Sequence, residues 1–192
     1  MQECYCCENI ETEWADEWGG SCLFSHGSKH SKGTMMLFKQ GFDISIVKEN
    51  IDLNGRYIII EAIIQGENYT LVNIYAPNTM HDKQLFFEEL SNRLDFMNID
   101  VNRNIILVGD WNSIQKCETD KKGGNEHVID TFVRSMTELL GQYDLVDIWR
   151  HRNPNLKRYT YRRKTPLILS RLDYFMISNS LQDNIVDAGC GS

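Results

Sequence analysis

Apolar positions along the chain follow two periods, and the changes between them mark the elements. Met35–Phe38 and Ile44–Val47 predict short strands, with Gly41 at the turn between them. Arg56–Gln65 is rich in isoleucine and predicts a long strand; Thr70–Tyr75 is its partner, with the hairpin turn at Glu67-Asn68. Ala76-Pro77-Asn78 closes that strand, because proline has no N–H for the ladder. From Asp82 to Phe96 the period changes, and Leu85, Phe86, Leu90 and Leu94 recur at helical spacing. Ile105–Val108 is a continuous apolar run of strand length, the pattern of a strand buried on both faces, ended by Gly109. Lys121-Lys122-Gly123-Gly124 predicts an exposed loop, and Val128–Leu140 a second helix closed by Gly141. Leu145–Trp149, Arg158–Tyr161 and Leu172–Ile177 complete the series as strands. Many strands with two helices inserted between them point to packed sheets with helices outside.

Composition narrows the class. The chain has 192 residues, 42% of them hydrophobic and 24% charged, which fits one globular domain and excludes disorder, collagen and coiled coil. No apolar run approaches the roughly 18 to 20 residues that span a bilayer, and Ile58–Ile64 carries Glu61 in its middle. The N-terminus is acidic, with no charged-then-apolar signal pattern. The expectation is a soluble, intracellular domain with no membrane partner and no readable targeting signal. Without a signal peptide, Cys4, Cys6, Cys7, Cys22, Cys117 and Cys190 are expected as reduced thiols. Cys4, Cys6, Cys7 and Cys22 make a poor zinc site, because C-x-C-C lacks the gap that lets a pair grip one ion.

Charge informs through its distribution. The formal net charge is −7, which argues against a general nucleic-acid binder. Yet Arg150 to Arg171 holds eight Lys or Arg (Arg150, Arg152, Lys157, Arg158, Arg162, Arg163, Lys164, Arg171) and no acid, so the remainder carries −15 by subtraction. The segment reads either as a solvated basic hairpin or as a phosphate-contacting edge, since Tyr159 and Tyr161 interleave with the cations.

Polar residues stand just past the ends of three apolar strands: Asn73-Ile74-Tyr75-Ala76-Pro77-Asn78, Gly109-Asp110-Trp111-Asn112 and Ser170-Arg171-Leu172-Asp173-Tyr174. Gln2-Glu3 opens the chain. Each alone is a weak sign, and a Gly-Asp after a strand is usually a turn. In this order, with Trp14-x-x-x-Trp18-Gly19-Gly20, Ser25-His26-Gly27 and Tyr159-Thr160-Tyr161, they form a pattern. It resembles the endonuclease/exonuclease/phosphatase family, and within it the endonuclease domain of non-LTR (LINE-type) retrotransposons. The resemblance runs from Gln2 to about Ile177.

The resemblance implies an α/β fold, a four-layer sandwich of two mostly antiparallel β-sheets flanked by helices, like that of the deoxyribonucleases. It implies a phosphodiesterase that uses Mg²⁺, with Mn²⁺ as a substitute, and nicks DNA. Glu3 matches the family's metal carboxylate, a hard oxygen ligand suited to Mg²⁺. Asp110 matches the residue that orients or deprotonates the attacking water. Asn112 matches an amide donor to the phosphate, and Tyr75 a phenol that donates to the phosphate or the developing charge. Asp173 matches the carboxylate that orients a catalytic histidine. Thr160 and Arg171 are weaker candidates for contact with the nucleic-acid backbone, and Arg162 and Arg163 of the basic segment are weaker substrate-binding candidates. The parent protein would carry a reverse transcriptase domain and need access to the nucleus. Trp111 and Trp149 read as core.

Two parts of the family pattern have no counterpart. An asparagine stands upstream of Gln-Glu in the family, and a Ser-Asp-His follows its last strand. None of His26, His30, His81, His127 or His151 follows a Ser-Asp pair. The expectation is a partial domain without the family's first and last strands, a frayed Glu3 and a weak or absent activity. A phosphatase or small-substrate phosphodiesterase of the same family, and a non-catalytic nucleic-acid-binding remnant, stay open as alternatives.

Overall fold

The computed structural model describes residues 1–4, 11–27, 32–99, 104–124 and 133–185. Cys6, Cys7, Cys190, His30, His127 and the start of the second predicted helix lie outside them. The chain divides into two compact units, Met1–Tyr75 with Arg103–Gly109, and Ala76–Asn102 with Asp110–Ser192.

In the first unit, a helix α1 (Glu11–Trp18) and a strand β1 (Ser21–Ser25) precede the predicted β2 (Thr34–Phe38), and β1 and β2 pair antiparallel. Both α1 and β1 escaped the periodicity. Helix α1 buries no residue, so no apolar stripe marks it. Strands β3 (Ile44–Ile51), β4 (Tyr57–Ile64), β5 (Glu67–Tyr75) and β6 (Asn104–Asp110) follow in that order across a sheet. Strand β4 is buried from Tyr57 through Ala62, which is why it reads as an almost unbroken apolar run. Phe38, Ile58, Ile60 and Ala62 form a core, with Leu23, Met36, Ile44 and Leu71 packed against it. The β4–β5 turn is Gln65-Gly66, not Glu67-Asn68: Ile64 pairs with Glu67, and both turn residues have positive φ, +52° and +85°. That is the primed geometry that matches strand twist in a two-residue hairpin. Strand β6 runs through Gly109 instead of ending there. It alternates buried and half-buried residues, so it is not covered alike on both faces.

In the second unit, α2 (Met80–Phe96) begins where Thr79 Oγ1 accepts a hydrogen bond from Asp82 N, and it buries Phe86, Phe87, Leu90 and Leu94. A short helix α3 (Cys117–Asp120) leads into β7 (Lys121–Lys122), and α4 (Arg134–Gln142) packs against α2. The predicted strand Leu145–Trp149 divides into β8 (Leu145–Asp147) and a helix α5 (Ile148–Arg152). The break falls at Asp147, whose side chain caps the helix through Arg150 N. Strands β9 (Tyr161–Arg163) and β10 (Ile168–Ser170) form a three-stranded sheet with β7, in the order β7-β10-β9. The predicted Arg158–Tyr161 strand is therefore displaced, and Lys121-Lys122 is a strand instead of a loop. Strand β11 (Asp173–Ser178) pairs with β8. Trp111 lies in the core as expected, stacked on Phe87 at 5.1 Å and edge-on to Tyr174. No helix among the described residues is long and apolar enough to cross a membrane.

Candidate active site

The first unit brings Glu3 and Tyr75 together: the Tyr75 hydroxyl donates to Glu3 Oε1 at 2.5 Å. Glu3 does not hang from a loose end. Met1 and Met35 exchange backbone hydrogen bonds, and Cys4 N donates to Gly33 O. The buried Asn73 side chain adds donors to Met1 O and Met35 O and accepts from Gln2 Nε2. The asparagine that opens the Asn73-Ile74-Tyr75 motif is thus a structural pin. Tyr75 has a neighbour that sequence reasoning missed. Arg56 stacks its guanidinium 5.0 Å from the ring centroid and donates to Tyr75 O. At Gly109 a Cβ would sit 2.0 Å from Ile74 O, and φ is +142°, so only glycine fits immediately before Asp110.

The second unit holds Asp110, Asn112, Thr160 and Asp173. Asp110 Oδ1 accepts from Asn112 N at 2.8 Å, and Asp110 O from Ala76 N. The Asn112 amide donates to Ala76 O at 2.8 Å, spending one of its two N–H groups. Asn112 has φ +47°, an uncommon conformation for a side-chain-bearing residue. The ammonium of Lys83, fully buried, donates to its carbonyl. Lys83 precedes Phe86, Phe87 and Leu90 on the inward stripe of α2, the signal that could have exposed it in the sequence. Trp111 N donates to Leu172 O at 2.8 Å, which lays the Asp110–Asn112 segment beside Asp173. Thr160 Oγ1 accepts from the backbone N–H of both Leu172 and Asp173, so its hydroxyl shapes the entry to β11.

Arg171 departs from the expectation of a substrate contact. It is 2% exposed, and its guanidinium binds both oxygens of Asp120 (2.9 and 3.1 Å) and Asp147 Oδ2 (2.6 Å). Arg150 is buried with it, binding Asp120 Oδ1 and the carbonyls of Asn153 and Leu156. The rings of Trp149 and Tyr174 flank Arg171 at 5.0 and 4.3 Å. Burial pushes the Asp120 carboxyl up, but hydrogen bonds and charge from Arg171 and Arg150 outweigh it and hold the group below its usual range. Burial pulls the Arg171 guanidinium down, and its two aspartates more than reverse that. Arg162 and Arg163, by contrast, are exposed on β9, which suits a solvated hairpin and a phosphate-contacting edge alike.

A divalent cation that keeps most of its water needs one or two carboxylates plus phosphate oxygens. Glu3, exposed and with one oxygen engaged by Tyr75, fits that requirement as a single ligand. Among the described residues no group of three or more His, Cys, Asp or Glu gathers to form a closed cage. Cys4, Cys22 and Cys117 form no disulfide among the described residues.

The sequence profile of the Endonuclease/Exonuclease/phosphatase family matches residues 4–187, spanning both units, and the chain belongs to that family. A 149 kDa protein of transposon TX1 from Xenopus laevis is 30% identical over 187 residues, covering 94% of this chain. An exodeoxyribonuclease of Bacillus subtilis is 31% identical over 158 residues, 73% of this chain. The chain spans 14% of the length of the first relative and 59% of the second. A solved AP endonuclease from Leishmania major superposes with a TM-score of 0.75 at 21% identity, covering 97% of this chain and 71% of that one. The fold is therefore the α/β fold of this family, with sheets flanked by helices.

Proposed function

We propose that the chain is the DNA-nicking endonuclease domain of a retrotransposon-derived protein, hydrolysing phosphodiesters with Mg²⁺, or Mn²⁺ in its place. The observation that carries this reading is the fixed orientation of Asp110, whose carboxylate is set by Asn112 N beside the Asp173 segment. The kinship with a transposon protein over 94% of the chain supports the retrotransposon branch. The parent would also carry a reverse transcriptase and act on nuclear DNA.

When bound, the cation would offset charge on the phosphoryl oxygens, with Glu3 holding it. Asp110 accepts a proton from the attacking water, a task for an acceptor carboxylate held in one direction. The second N–H of the Asn112 amide donates to a phosphate oxygen. Tyr75 redirects its hydroxyl from Glu3 to the phosphate, and the Arg56 guanidinium over its ring favours that donation by stabilising negative charge on the phenol oxygen. Asp173 orients a histidine of a Ser-Asp-His segment, which the 192 residues do not contain. Lacking one preorganised donor typically costs about 100- to 1,000-fold. The chain should therefore nick slowly, and faster once a Ser-Asp-His segment is appended.

The test is nicking of supercoiled plasmid across a Mg²⁺ series, with release of phosphate from inositol phosphates as the competing readout. Slow, chelator-sensitive nicking abolished by Asp110→Ala is the expected result. Phosphate release without nicking would replace this reading with a phosphatase.

A further inference from the structure

We propose that Leu53, at the tip of the β3–β4 turn, is a wedge that enters a base step of duplex DNA. A specificity element of this kind rests on the nuclease reading above and adds to it a residue that reads how easily the duplex unstacks.

A single exposed leucine is ordinary on a protein surface and by itself means little. Leu53 differs in how it is held. It is 94% exposed, the highest value among the large hydrophobic residues described. Yet its turn is among the most heavily pinned in the first unit. Asp52 N donates to Tyr57 O, and Asp52 O accepts from Ser25 Oγ at 2.5 Å. The two carboxylate oxygens of Asp52 accept from Asn54 Nδ2 and Arg56 N. Gly55 O accepts from Gly33 N, and Gly55 sits at φ +74° where a Cβ would lie 2.7 Å from His26 O.

A backbone held in this way keeps Leu53 at the tip of the turn. The apolar tip is preorganised in water, and the ordering that a mobile loop would need on binding is already in place. Leucine is one of the side chains that wedge between base steps from the minor groove and partly unstack them. The turn also has an address. Three residues on, Arg56 lies over Tyr75, and Tyr75 contacts Glu3. The acid nearest the tip, Asp52, has both oxygens engaged by the turn itself, which tempers its repulsion of a polyanion.

The experiment uses Asp110→Ala protein, so that nothing is cut, and duplexes carrying 2-aminopurine at successive positions. Binding should raise the fluorescence several-fold at one or two adjacent positions. Adding Leu53→Ala should abolish that rise and weaken binding by less than about tenfold, with the denaturation midpoint unchanged. Leu53→Met should keep most of the rise. Duplex binding with the same fluorescence in Leu53→Ala would overturn the wedge and leave the nuclease reading standing. Absence of duplex binding at low salt would overturn both.

Discussion

Arg171 and Arg162 stand nine residues apart in one basic stretch, and the fold sends them to opposite fates. Arg171, with Arg150, is locked between Asp120 and Asp147 and flanked by Trp149 and Tyr174. Arg162 and its neighbour Arg163 stand exposed on β9. The first pair holds α3, β8, α5 and the entry to β11 together; the second offers charge to solvent. A run of like charge in a sequence therefore does not describe a patch of like charge on the surface. The carboxylates that neutralise Arg150 and Arg171 come from positions 120 and 147, both outside the run. The exposed basic edge is smaller than +8 by those two charges.

The largest difference should appear in stability. A buried guanidinium cannot be removed without leaving Asp120 and Asp147 partly unpaired in a dry site, which typically costs about 3–5 kcal/mol. Arg171→Ala should lower the unfolding free energy by that amount in urea titration. A loss of under about 1 kcal/mol would mean that water or Arg150 takes over both carboxylates, and that the buried pair resembles the exposed one after all.

The second test uses acid. Asp120 has its folded-state pKa depressed, so its stabilisation is present above the unfolded value of about 3.9 and is lost as pH falls through the folded one. Stability should fall as pH drops through about 3.9 and below, and part of that slope belongs to Asp120. Asp120→Asn should be less stable at neutral pH and flatter across the acid range. Parallel slopes in the two proteins would assign the acid sensitivity to other carboxylates.

Legibility in the sequence followed the same division between near and far. Strands β2, β4 and β5 and helix α2 announce themselves, because burial of one face or both imposes a local period. Strand β1 and helix α1 do not: α1 buries nothing, and β1 gains its partner from β2. Of the site, Glu3, Tyr75, Asp110, Asn112 and Asp173 were readable only as motifs in order. The structure joins Glu3 to Tyr75, Asp110 to Asn112, and Thr160 to Asp173 within single units. Arg56, Lys83 and Asp120 were not read, because each acquires its role from a partner 19 to 51 residues away. Arg171 takes its buried place for the same reason, since Asp120 and Asp147 stand 51 and 24 residues away. Its motif, Ser170-Arg171-Leu172-Asp173-Tyr174, pairs a buried structural cation with an exposed carboxylate two residues on.

The smallest effect on folding, and the sharpest on binding, belongs to Arg162 and Arg163. Both lie on an exposed three-residue strand, so Arg162→Ala with Arg163→Ala should change the unfolding free energy by no more than about 0.5 kcal/mol. If the β9–β10 sheet tracks a phosphate backbone, each arginine on a phosphate displaces condensed counterion, and the log–log slope of affinity against salt is about −0.9 per contact. The double variant should then weaken binding to every duplex alike and flatten the slope by roughly 1 to 2. Measurement needs only binding, so it runs on Asp110→Ala protein whatever the catalytic rate. An unchanged slope would leave these arginines solvated. Lys157, Arg158 and Lys164, exposed on the same stretch, would be the next cations to test. A change in slope confined to certain sequences would instead mean that the pair touches bases, because phosphate contacts carry no sequence information of their own.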